Sequence, residues 1–202
     1  MMNRLAVLFL IFSALSCSRD MSRNEYERWV KDPESGFVKS KESGGLQLTL
    51  EFTSSRAMAL AAPARAWSAY TEKYVLRVKP LKSNERGLLS YASNDMEDYQ
   101  ALSRYYNEGA IHEFSLEVDG ETYRPSEYYF EDYQGLSDYN TFTLIFRDEG
   151  LKGSTHDRIL VWNDQVLTLG MTKFRIHQED LKKEQAINIL QPWLLKHERT
   201  GE

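Results

Sequence analysis

The sequence predicts a mainly β protein with two or three helices, a β-rich α+β domain built as an antiparallel β-sandwich or open barrel. Three observations predict it. Apolar and polar residues alternate in "LQLTLEFT" (46–53), "FSLEV" (114–118) and "TFTLIFR" (141–147), which is how a strand with one buried face reads. Turn residues separate such runs at short intervals, and Asp119–Gly120 is a two-residue hairpin signal. The βαβ repetition of a doubly wound parallel sheet is missing.

The elements follow in order. Residues 17–23 are polar and read as a short tether, with one globular domain from 24 to 202. Tyr26, Trp29 and Val30 sit at i, i+3, i+4, so a short helix is expected, ending before Pro33. In "LQLTLEFT", Leu46, Leu48, Leu50 and Phe52 face one way. The alanine-rich stretch after Pro63 predicts a helix over about 64–72, since proline fits a first turn. "YVLRVKP" returns to strand. The strongest helix spans about 95–108, with Asn94 as cap, Glu97 in the capping-box position, an apolar stripe of Met96, Tyr99, Leu102 and Tyr106, and Gly109 as stop. "RILVWNDQVLTLGMTKFRIH" reads as two or three strands turning at Asn163–Asp164. The end, "EDLKKEQAINILQPWLLKHE", fits a helix or a final strand.

The N-terminus carries a different signal. Arg4 precedes an uncharged apolar run of eleven residues, Leu5 to Leu15. That is the length of a signal-peptide h-region and too short for a bilayer, which takes roughly 20 residues. The run ends at Ser16 and Cys17, and Cys17 is the only cysteine of the chain. "ALSC" resembles a bacterial lipoprotein lipobox, with Ala14 where an aliphatic residue is usual and Leu15 one place late. The resemblance implies cleavage after residue 16, a diacylglyceryl group on the Cys17 thiol, and a membrane contact through that lipid. Anchoring by two or more acyl chains is stable where one chain is marginal. With a single cysteine, no intramolecular disulfide can form, and stability rests on the core.

Composition supplies that core: the 202 residues are 42% hydrophobic and 12% aromatic. A net charge of −5 argues against a nucleic-acid partner, which selects a basic stripe, and against electrostatic adhesion to anionic lipid, so the lipid on Cys17 is the one membrane contact expected.

Beyond the signal, the layout resembles small uncharacterised lipoproteins of Bacteroidota. The similarity lies in "YERWVKDPESG", the alternating "LQLTLEF", the hairpin "FSLEVDGETYRPSEYYFED" and the strand "FTLIF". It implies an envelope lipoprotein with a β-rich domain, most simply at the outer membrane. Its motifs are structural and transfer no catalytic residue.

The residues themselves offer no catalytic constellation. His112, His156, His177 and His197 lack HxxxH or HExxH spacing, so neither a metal nor a cofactor is expected. His112 shares parity with Phe114 and reads as a core or boundary histidine. GxSxG and a phosphate-cradling glycine loop are absent. One segment is concentrated: Tyr123, Tyr128, Tyr129, Tyr133 and Tyr139 lie among Glu127, Glu131, Asp132 and Asp138. It reads three ways: an aromatic and acidic platform for a sugar, a Ca2+ site without EF-hand spacing, or tyrosines filling half-buried faces with hydroxyls reaching water. Tyr123, Tyr128, Tyr129, Glu131, Asp132 and Tyr133 are its candidate ligand-binding residues. The expectation is a non-enzymatic, lipid-anchored accessory or structural subunit of a cell-envelope assembly, with a protein partner. The alternative is a carbohydrate- or small-ligand-binding module using residues 123–139.

Overall fold

The structure is a computed structural model that describes residues 19–61, 70–82, 87–133, 136–167 and 169–190. Cys17 and the signal segment lie outside the described residues, as do residues 64–69 of the helix expected over about 64–72. In chain order the elements are β1 (Arg19–Ser22), α1 (Arg23–Lys31), β2 (Val38–Ser43), β3 (Leu46–Thr53), α2 (Ser55–Ala61), β4 (Thr71–Pro80), α3 (Gly87–Ala92), α4 (Met96–Glu108), β5 (Phe114–Val118), β6 (Glu121–Tyr123), β7 (Glu127–Glu131), β8 (Asn140–Arg147), β9 (Arg158–Asn163), β10 (Met171–Ile176), α5 (Gln178–Gln185) and β11 (Ile187–Leu190).

Two antiparallel sheets form the body, ordered β2-β3-β4-β8-β7 and β10-β9-β5-β6. Neither closes into a barrel, and the sandwich reading holds. Leu46, Leu48, Leu50 and Phe52 are all buried, as the alternation requires. They join Tyr74, Leu76, Val78, Phe142, Leu144 and Phe146 from their own sheet, and Phe114, Leu116, Leu160 and Trp162 from the other, in one core. Two runs of aromatic contacts cross that core. Trp29, Phe37, Phe52, Tyr74 and Phe146 meet successively at 5.5, 5.1, 5.0 and 5.4 Å between ring centroids. Phe114 stacks on Trp162 at 5.7 Å, and both touch Phe142. The Asp119–Gly120 turn joins β5 to β6, with φ of 51° and 82° at its two residues, the left-handed geometry of a tight hairpin.

Several expectations need correction. The described residues hold five α-helices rather than two or three. The polar tether is partly strand: β1 pairs in parallel with β11, Arg19 opposite Ile187 through Ser22 opposite Leu190. Met21 is buried at 3% exposure, because it faces a small cluster with Tyr26, Ala57 and Ile187. Ser22 then caps α1, and Glu25 closes a capping box with it. Ser55–Ala61 forms a helix of its own, α2, and residues 71 and 72 of the helix expected over about 64–72 belong to β4. Helix α4 starts one residue later than expected: Asp95 caps it by accepting from the Asp98 amide. Met96 is therefore outside the buried stripe, at 69% exposure, while Tyr106 is fully buried. Gly109 keeps a right-handed conformation and passes α4 into a 3-10 turn, Ala110–Glu113. Within the ambiguous segment at the end, the described residues supply both a helix, α5, and a strand, β11, and its part from 191 on lies outside them.

Candidate functional sites

The most polar places in the fold are buried carboxylates, and each is set by strand or helix register. Glu72 enters β4 on the same parity as Tyr74, Leu76 and Val78, so the pleat turns it inward. Arg158 starts β9 on the parity of Leu160 and Trp162 and meets it there. Both side chains are essentially sealed from solvent, at 0% and 1% exposure. The Arg158 Nε donates to both Glu72 oxygens, at 3.0 and 3.2 Å. Its remaining donors reach Ser154 Oγ and the carbonyls of His156, Leu151 and Ser154. Glu72 also accepts from the Tyr70 and Tyr74 hydroxyls at 3.0 and 2.8 Å. Burial works against the Arg158 charge, but Glu72 beside it outweighs that and holds the guanidinium above its ordinary value.

Glu184 is buried on α5. The hydroxyls of Tyr26 and Ser54 donate to its Oε1. Arg56 does not bond its carboxylate; it donates to the carbonyls of Glu184 and Ile187 at 2.8 and 2.6 Å and ties α2 to the start of β11. Burial holds the Glu184 carboxyl above its ordinary value against the Ser54 and Tyr26 bonds, and nearby Glu72 adds to the rise.

Two further acids organise loops. Glu113 accepts from the Tyr105 hydroxyl, from Trp162 Nε1 at 2.8 Å and from the Gln165 amide at 2.9 Å. Asp164 accepts from the amides of Val166, Leu167 and Leu169. That set of bonds bends residues 164–167 and 169 into a loop where alternation suggested a strand.

The tyrosine-rich segment is divided between sheets. Tyr123 lies on β6 in the four-stranded sheet, partly buried against the core. Tyr128, on β7 of the other sheet, packs on Phe114 and Phe142 and donates to the Tyr106 carbonyl. Tyr129, its neighbour, faces outward at 52% exposure and bonds Glu127. Tyr133 donates to Glu131 and meets the Tyr139 ring edge-on at 5.6 Å. Asp132 accepts from Tyr99 at 2.7 Å and from Asn140, and burial followed by that bond pushes the Tyr99 hydroxyl up to about 12. The six candidate residues thus share no single platform. Tyr123 and Tyr128 pack on the core; Tyr133, Glu131 and Asp132 form a local network around the end of β7.

His112 is exposed in the 3-10 turn, because β5 begins only at Phe114, so strand parity does not govern it. Asp157, His177 and Glu179 place ligand-type atoms within 4.8 Å of one another. Asp157 already accepts from Arg175 at 3.2 Å and from the Gln178 amide at 2.8 Å, so the group braces the start of α5. A cavity of about 480 Å3 lies beside it, lined by Glu117, Asp119, Thr122, His156, Asp157 and Gln178 among others. A second, of about 330 Å3, lies between α1, α2 and the outer face of the five-stranded sheet. A third, of about 240 Å3, flanks β1 and β11. Among the described residues no helix is long and apolar enough to cross a membrane.

Compared with known protein families, curated proteins and solved structures, the chain matches none of them.

Proposed function

We propose that this chain is a lipid-anchored envelope protein, held at the outer membrane through Cys17, that serves as a non-catalytic accessory or structural subunit of an envelope assembly. The anchor rests on the sequence: a short h-region ending at the one cysteine. The non-catalytic part is supported by how the fold uses its acids. Glu72, Glu113, Asp164 and Glu184 come from distant parts of the chain, and each is aimed at the protein's own donors. They tie strand to strand, helix to helix and loop to sheet. The result is a braced body suited to presenting a fixed surface to a partner protein.

Two measurements test the halves separately. Fatty-acid labelling and detergent-phase partition should appear in the wild type and disappear in Cys17→Ser; labelling that survives the substitution removes the anchor. Mild detergent extraction followed by light scattering should give a species heavier than the acylated monomer. A strictly monomeric protein across growth conditions removes the assembly role.

A further inference from the structure

The chain leaves the fold very close to its anchor. Only Ser18 separates Cys17 from Arg19, the first residue of β1. Two residues of fully extended chain span at most about 7 Å. The polar layer on each side of a bilayer is roughly 5–7 Å deep, the difference between a core of about 30 Å and a total of about 40–45 Å. The two lengths match, so a lipid on Cys17 leaves Arg19 within the headgroup layer.

Nor can the chain pay out more length without unmaking structure. All four residues of β1 are paired with β11, Met21 is buried, and Asn188 Nδ2 donates to Asp20 Oδ1 at 3.0 Å. The surface around Arg19 must therefore go where the anchor goes. That surface is the cavity of about 240 Å3, lined by Arg19, Met21, Trp29, Lys183, Ala186 and Ile187. Its floor is apolar and two cations stand at its rim. The Arg19 side chain makes no hydrogen bond or salt bridge among the described residues, and its charge acts on Glu25 only at longer range. Lys183 bonds Asp180 at 2.9 Å, an acid it shares with Lys39 at 3.8 Å, and Glu179 acts on it at longer range. The nearby acid Glu25 is taken up by Ser22 in the α1 cap.

We infer that this face seats on the leaflet that carries the anchor, with Arg19 and Lys183 taking the phosphate of an anionic phospholipid and Trp29 at the interface. The inference rests on the anchor reading above. The acidity of the whole chain opposes adhesion by net charge, but attraction to anionic lipid is short-range and acts on the two cations of this face, and a tryptophan at headgroup level suits its amphipathic ring. Trp29 packs on Phe37, just before β2. The opposite edge strand, β7, stands four strands from β2, roughly 19 Å across the sheet. Tyr129 on β7 is then held away from the lipid, on a face left to a partner.

The test uses the acylated full chain in vesicles of neutral phosphatidylcholine, with and without anionic phosphatidylglycerol. The one native thiol is blocked by its lipid, so Ala186→Cys or Tyr129→Cys gives a unique site for a fluorophore. Headgroup spin-labelled lipid should quench the label at 186 several-fold more than the label at 129 when phosphatidylglycerol is present. Arg19→Gln with Lys183→Gln should bring that ratio toward one while the protein stays membrane-bound. Equal quenching at both sites in the wild-type background overturns the seating yet leaves the anchor standing. A ratio unmoved by the double substitution overturns the role of the two cations. Protein recovered free of the vesicles overturns the anchor, and with it the seating.

Discussion

Glu72 and Glu184 are the same residue type, both buried and close enough for one charge to act on the other, yet the fold satisfies them differently. Glu72 faces a guanidinium that has every donor engaged. Glu184 faces two hydroxyls, and the nearest guanidinium, Arg56, is spent on backbone carbonyls. The difference follows from what each joins. Glu72 and Arg158 lock the starts of β4 and β9, strands of opposite sheets, to each other across the sandwich. Glu184 closes the periphery, where α1, α2 and α5 converge beneath the β1–β11 seam. A buried charge is strongly held only where a full counter-charge meets it; hydroxyls alone leave burial in control.

Removing the cation should have the largest effect. Arg158→Met leaves the Glu72 carboxylate buried without its counter-charge and should cost about 3–5 kcal/mol by denaturant unfolding. The companion Glu72→Met/Arg158→Met protein should recover only part of that loss: the apolar pair removes the unpaired charge, but the Tyr74 hydroxyl and the carbonyls of Leu151, Ser154 and His156 lose their partners. A loss below about 1 kcal/mol for Arg158→Met alone would erase the contrast between the two acids.

At the other acid, Tyr26→Phe removes one of two hydroxyl donors and should cost about 1–3 kcal/mol. Tyr26 is fully buried and packs against Trp29 at 6.1 Å, contacts that phenylalanine keeps. A loss as large as that of Arg158→Met would show the hydroxyl network to be as strong as the ion pair.

Glu184→Gln tests the electrostatics more gently. The folded pKa of Glu184 lies above its ordinary value of 4.5. The folded state therefore binds the proton more tightly than the unfolded chain. Its contribution to stability is complete below about pH 4.5 and is lost as pH rises through the raised value. Wild type should lose stability relative to Glu184→Gln across that window, in paired unfolding curves from pH 4 to 8. The glutamine carbonyl still accepts from Ser54 and Tyr26. A constant difference between the two proteins would mean that burial does not control the acid.

Much of this was visible in the residues, and the rest was hidden for identifiable reasons. "LQLTLEFT" was legible because every apolar residue of one parity is buried and every neighbour is less so. Gly120 was legible because its turn needs a positive φ. Glu72 and Arg158 also left a trace: each is a charged residue on the apolar parity of its strand. What could not be read was that they face each other across 86 positions of sequence. "QVLTL" misled because one side chain, Asp164, takes three backbone amides away from strand pairing. β1 was hidden because four mostly polar residues carry no period, and only its partner at the far end of the chain makes it a strand. The tyrosine cluster was compact in sequence, and the β6-to-β7 crossing between sheets dispersed it.

Tyr106 offers the smallest effect and the cleanest third case. Its ring is fully buried, against Tyr105, Phe130 and Phe142 at 5.5, 5.2 and 5.5 Å. Its hydroxyl is buried with no hydrogen-bond partner among the described residues. Glu72 has a cation and Glu184 has hydroxyls; this group has neither. Tyr106→Phe keeps the ring contacts and the carbonyl that accepts from Tyr128, and removes only a desolvated hydroxyl. Deleting a buried polar group that makes no bond should be neutral or gain up to about 1 kcal/mol. Tyr26→Phe, the same change at a bonded hydroxyl, should be destabilising. The two substitutions differ by one hydrogen bond, so opposite outcomes isolate it. A loss above about 1 kcal/mol in Tyr106→Phe would instead point to a bridging buried water, which needs polar partners of its own. The hydroxyl would then join Glu184 in the class of groups that the fold satisfies without a counter-charge.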